Sequence, residues 1–185
     1  MNTEGGSTSL QEAKWAVQKR NVRLCDIFSS NRVDWLAVLA DGYVGVSGRQ
    51  IEVRSFDDLE NLQAEFDLPS LSDIRSQGLL IEGERILPKW LTDFLAECSD
   101  GIVRVRTSRA NATELMDIDS FATMMSSDVS DDEIEATSTN DAWYLRMRND
   151  DALIFIAAPS LIAQRIAASC PANVRPMPDE FLFAS

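Results

Sequence analysis

Residues 142–157 read AWYLRMRNDDALIFIA, and this stretch decides the fold class. From Ala142 to Arg148 side chains alternate in character, so that Tyr144, Arg146 and Arg148 share one face of an extended strand. Asn149-Asp150-Asp151 supplies turn residues. Ala152 to Ala157 then returns as a nearly unbroken apolar run, the pattern of a strand buried on both faces. A β-hairpin with a central return strand calls for an antiparallel sheet.

Immediately upstream lies the chain's strongest charge asymmetry. Between Arg109 and Arg146 stand nine of the 30 acidic residues and none of the 17 basic ones. They are Glu114, Asp117, Asp119, Asp128, Asp131, Asp132, Glu133, Glu135 and Asp141. A concentrated negative field favours cationic partners and speeds encounter with them. The segment divides in two. Leu115, Ile118, Phe121, Ala122 and Met125 recur at helical spacing and predict a helix over 113–125 with an acidic back. Ser126 to Asn140 holds only Val129 and Ile134 as large apolar residues and reads as a solvated acidic loop.

On the far side of that segment, Val103-Arg104-Val105-Arg106 repeats the arginine alternation of the hairpin within a strand at 102–107. If the two strands are neighbours, Arg104, Arg106, Arg146 and Arg148 share one surface, and guanidinium forks there can bind phosphate or carboxylate. The plainer expectation is a wet sheet face whose charge is compensated by the intervening acids. Should the acidic loop fold down onto these arginines, the asymmetry becomes internal pairing, and a reading of the chain as an inhibitor of a basic protein loses its main support.

The rest of the chain fits an α+β domain. Ser9 with Glu12 has capping-box spacing for a helix near 10–19. Val33 to Ala40, Asp41-Gly42 and Tyr43 to Val46 read as strand, hairpin turn and strand. Ser47-Gly48 makes a second break before an alternating strand at 50–54. Ser55, Asp57 and Asp58 start a helix with Leu59, Leu62 and Phe66 as its stripe. A short helix over 70–77 and a hairpin over 79–87, turning at Glu82-Gly83-Glu84, follow. Pro88 precedes a helix with Trp90, Leu91, Phe94 and Leu95 inward, and Pro159-Ser160 begins a last one with Leu161, Ile162 and Ile166 inward. The expected architecture is an antiparallel sheet of hairpins packed by about five helices. Residues 1–8 form a polar tail, 9–170 the single domain with the acidic segment at 110–145, and 171–185 a proline-rich tail.

Composition excludes several function classes. The formal charge is −13 over 185 residues, which opposes nucleic-acid and anionic-membrane binding. No apolar run reaches membrane-span length. There is no histidine and no paired-cysteine motif, so histidine catalysis and Cys/His zinc sites are out, and three scattered cysteines fit a cytoplasmic protein. Asp128, Asp131, Asp132, Glu133 and Glu135 lack the order of a calcium loop. No carboxylate pair has surroundings that mark a catalytic acid or base. No cofactor, no metal and no enzymatic activity are expected.

The expected function is therefore an acidic protein-interaction module. Its preferred form is a bacterial immunity- or antitoxin-type inhibitor that binds a basic toxin, because a nuclease cleft that holds nucleic acid must be basic. The partner-binding candidates are Asp117, Asp128, Asp131, Asp132, Glu133 and Glu135. The alternatives are a secretion chaperone, a DNA-mimic inhibitor, or an enzyme or ligand-binding domain using the arginine face.

Overall fold

A computed structural model describes residues 33–67, 82–83, 87–107, 113–126, 133–147 and 153–177, with 82, 83, 126 and 177 described by backbone alone. The tail at 1–8, the helix near 10–19, the short helix at 70–77, most of the 79–87 hairpin and the turn at 149–151 lie outside them. Within them the protein is α+β, with four helices and a large antiparallel sheet.

That sheet has seven strands in the order β10-β1-β9-β8-β7-β5-β6. They are β1 (Val33–Leu39), β5 (Ile102–Thr107), β6 (Glu114–Asp117), β7 (Ile134–Ser138), β8 (Tyr144–Met147), β9 (Leu153–Pro159) and β10 (Val174–Met177). β8 and β9 are the expected hairpin, with Tyr144 opposite Ala157 and Met147 opposite Ile154. All of β9 from Leu153 to Ala158 is buried, and β1 covers its other edge from Val33 opposite Pro159 to Leu39 opposite Leu153. Ile154 and Ile156 are fully buried; burying each such side chain contributes roughly 1.5–3 kcal/mol.

One face of the sheet is covered by α2 (Lys89–Glu97), α3 (Ile118–Ser126) and α4 (Ser160–Ser169). Leu91, Phe94 and Leu95 of α2, Phe121 and Met125 of α3, and Ile166 of α4 share a core with Val103, Ala136, Leu145 and Ile156. Trp143 is fully buried there, and its indole N–H donates to the carbonyl of Leu95 at 3.2 Å.

Among the described residues, the other face is covered toward β1 and β9. There α1 (Phe56–Glu65) and a three-stranded sheet of β3 (Arg49–Glu52), β2 (Tyr43–Val46) and β4 (Glu82–Gly83) pack on Ala37, Leu39, Leu153 and Phe155. Ser55 caps α1 by accepting from the Asp58 N–H at 3.2 Å. Asn173 anchors this layer, donating to the Arg54 carbonyl at 2.9 Å while its own carbonyl accepts from the Leu39 N–H at 2.9 Å. Apolar packing on this face extends as far as Trp35 and Tyr144, whose rings meet edge to face with centroids 5.9 Å apart. Beyond them this face carries Arg146, Glu135, Thr137, Arg104 and Arg106, with the exposed Ile102 and Leu115 at its β5–β6 margin.

Several expectations need correction. Asp41-Gly42 does not join paired strands: β1 pairs with β9 and β10, β2 with β3 and β4, so the turn carries the chain between sheets. The hairpin signal was real one turn later, where Ser47 (φ 51°) and Gly48 (φ 75°) connect β2 to β3. Glu82-Gly83 is strand β4, paired with Gly45 and Val44, and not a turn. The helix expected over 113–125 is the strand β6 followed by α3, and the loop expected over 126–140 contains β7. Leu161 is 72% exposed. At about 100° per residue it stands well away from the Ile162, Ala163 and Ile166 side that faces the core. Within the expected C-terminal tail, Val174–Met177 forms the edge strand β10.

Candidate functional site

The two arginine strands are not neighbours. β7, which comes from the acidic segment, lies between β5 and β8. Its inward residues Ile134, Ala136 and Ser138 are buried, while Glu135 and Thr137 turn to the polar face. Register sets Glu135 opposite Arg106 on one side and opposite Arg146 on the other. Adjacent strands lie about 4.8 Å apart, so a carboxylate is interleaved between two guanidiniums.

Each end of β7 adds a carboxylate to this pattern. Glu133, just before the strand, takes Arg146: Nε donates to Glu133 Oε1, and Nη2 forms a charge contact with the same oxygen without a hydrogen bond of its own. The pair is largely buried, with 11% of the Arg146 side chain exposed and 27% of Glu133. Asp141, in the turn after β7, takes Arg104. The guanidinium donates to Asp141 Oδ1 at 3.1 Å and to the Ser138 and Thr139 carbonyls at 3.4 and 2.9 Å. Asp141 adopts the left-handed conformation (φ 55°) that closes the turn. Thr139 donates its hydroxyl to Asp100, which, with smaller help from backbone N–H groups and Arg104, holds that carboxyl below the usual range.

The candidate anion site is thus crossed by the protein's own acids. Arg104 and Arg146 are engaged, Arg106 faces Glu135 in register, and Arg148 lies outside the described residues. The candidate partner-binding residues separate in the same way. Glu133 and Glu135 stand among the arginines, Asp128, Asp131 and Asp132 lie outside the described residues, and Asp117 is exposed at the end of β6.

Asp117 also starts α3. Its carboxylate accepts from the Ser120 hydroxyl at 2.6 Å and from the Ser120 N–H at 2.8 Å, the geometry of an N-cap. Those two bonds, the hydroxyl first, hold its carboxyl below the usual range. Glu114 and Asp119 flank it, both exposed; neither forms an ion pair among the described residues, and Asp119 lies within electrostatic reach of Lys89, which pairs with Asp93. Leu115 between them is 67% exposed, with Ile102, at 39%, its diagonal neighbour on β5. The β6–α3 corner is therefore the described part of the acidic segment whose charge faces solvent. Glu114, Leu115 and Asp119 were not singled out as site residues. The signal was the Asp117-x-x-Ser120 spacing, which starts the helix at 118 and leaves 114–117 extended.

Among the described residues no three His, Cys, Asp or Glu side chains converge to hold a metal, and no helix is long and apolar enough to cross a membrane. No protein-family model, no curated protein and no solved structure matches the chain.

Proposed function

We propose that this protein is an acidic interaction module that binds a basic partner protein through the β6–α3 corner, and that an inhibitor of a basic toxin, of the immunity or antitoxin kind, is its most specific form. The observation that carries the reading is the division of the acidic segment. Glu133 and Asp141 are neutralised by Arg146 and Arg104, whereas Glu114, Asp117 and Asp119 face solvent beside the exposed Leu115. Internal pairing removes part of the support that raw charge lent to an inhibitor, and it moves the proposed contact from the 126–140 region to the corner. Solvent-facing carboxylates around an apolar centre suit a cationic partner, with the charges steering encounter and the leucine supplying desolvated contact.

The test is a native pull-down from the source organism, followed by kinetics with the captured partner. A basic protein should be retained in stoichiometric amount, and its association rate should fall steeply between low and high salt. Retention of no basic protein, or an association rate indifferent to salt, overturns the reading.

A further inference from the structure

The two edges of the seven-stranded sheet are built differently. Leu39 N–H bonds the Asn173 carbonyl, which fixes the alternation along β1 and β10. Residues 173, 175 and 177 turn their backbone groups toward β1, and Val174 and Pro176 turn theirs outward. Pro176 has no N–H, so it interrupts the outer row at this edge, a known way of preventing another chain from pairing there.

β6 has no such block. Ile118 N–H bonds the Gly101 carbonyl at 3.0 Å, so by the same alternation Glu114 and Met116 bond β5 while Leu115 turns its N–H and C=O away from the sheet. No described strand pairs with that side. Glu114 and Asp117 lie at the two ends of this edge, Asp119 stands in the first turn of the helix beyond it, within electrostatic reach of Lys89, and the stretch 113–126 holds no Lys or Arg. A second copy added here would bring two such acidic edges together. An extended basic segment would meet complementary charge.

We infer that the outer edge of β6 accepts an extended, lysine- or arginine-bearing segment of a partner protein as an eighth strand, with backbone bonds to Leu115, apolar contact on the Leu115 and Ile102 side chains, and cations beside Glu114 and Asp117. This mode of recognition draws affinity from the main chain and specificity from alternate side chains. The inference rests on the proposed basic partner and specifies how that partner is held.

The test uses the full chain and two synthetic octapeptides of alternating lysine and valine, one ordinary and one N-methylated at every amide. Both carry the same charge, but only the first can donate backbone hydrogen bonds. Binding is followed by NMR at low salt, with hydrogen exchange read at the Leu115 amide. The ordinary peptide should bind and slow that exchange. The methylated peptide should bind about tenfold more weakly, the equivalent of one or two net hydrogen bonds. Leu115→Pro removes the outward N–H and leaves the bonds to β5; it should show the same loss for the ordinary peptide. Equal binding of the two peptides with unchanged Leu115 exchange overturns strand addition and leaves the acidic-surface reading standing. Failure of both to bind overturns both. A Leu115 amide already protected in the chain alone overturns the inference too: dilution-sensitive protection assigns the edge to a second copy, dilution-independent protection to the chain itself.

Discussion

Arg104 holds Asp141 across 37 residues of sequence, with Nη1 3.1 Å from Oδ1, and the same guanidinium caps the Ser138 and Thr139 carbonyls. One side chain of β5 thereby fixes the turn from β7 into β8. Arg104→Met should lower stability by about 1 kcal/mol, because the contact is half-exposed and solvent screens the charge term. Arg104→Lys should recover little, since an ammonium cannot reach three acceptors in a planar fork. Urea titration gives the stability, and faster amide exchange at Asp141 would place the loss at the turn. Full rescue by lysine would show that charge alone matters.

The Arg146–Glu133 pair should behave asymmetrically. Glu133→Gln removes the carboxylate bonded to a guanidinium that is only 11% exposed, leaving Glu135 across the strand as its remaining acid, and should cost up to about 3 kcal/mol. Replacing both, as Arg146→Met with Glu133→Leu, should restore most of the loss, because a packed apolar pair carries no desolvation penalty. A double-mutant cycle by urea denaturation reads the coupling. Additive losses would mean that the two side chains do not interact.

Ser138 is fully buried in the core and accepts from the N–H groups of Ala142 at 2.7 Å and Trp143 at 3.3 Å. Ser138→Ala removes the acceptor and strands buried donors, at a cost of about 1–3 kcal/mol. Thermal denaturation checks it, with Trp143 fluorescence reporting whether the indole keeps its place. A change within experimental error would show that another group takes over the two donors.

Two carboxyls tie stability to acid pH. Asp117 is held low first by the Ser120 hydroxyl and Asp100 first by the Thr139 hydroxyl. A carboxyl lowered in the folded state contributes fully above its unfolded value, near 3.8, and the contribution is lost as pH falls through the lowered one. Stability should therefore be flat in this respect at neutral pH and fall in acid. Ser120→Ala should move the Asp117 titration upward toward the ordinary value in a carboxyl-detected NMR titration. An unmoved titration would remove the hydroxyl as the cause.

Much of the fold was legible in local pattern. The β8–β9 hairpin was signalled by alternation followed by an unbroken apolar run. α1 was signalled by Ser55 with two acids after it, and α2 by Pro88 with Leu91, Phe94 and Leu95 at helical spacing. β7 was not legible because its inward positions after Ile134 are Ala136 and Ser138, too small to register as a hydrophobic face. They are small yet fully buried, so the strand is held by its neighbours rather than by large apolar side chains of its own. The pairing of β1 with β9 and β10 was beyond local reading as well. Those partners lie more than a hundred residues away, and Asp41-Gly42 offered a nearer hairpin that does not form. The same limit governed the site: only once β7 lies between β5 and β8 can Glu133, Glu135 and Asp141 be told apart from Glu114, Asp117 and Asp119.

That separation is the core of the account, and one comparison tests it most directly. The association rate of the captured basic partner is measured against ionic strength for the unaltered chain, for Glu114→Gln with Asp119→Asn, and for Asp141→Asn. The corner variant should associate more slowly at low salt and show a shallower salt dependence, while Asp141→Asn should leave the salt dependence essentially unchanged. If the corner variant keeps the full rate and slope and Asp141→Asn does not, the β6–α3 corner is not the binding surface.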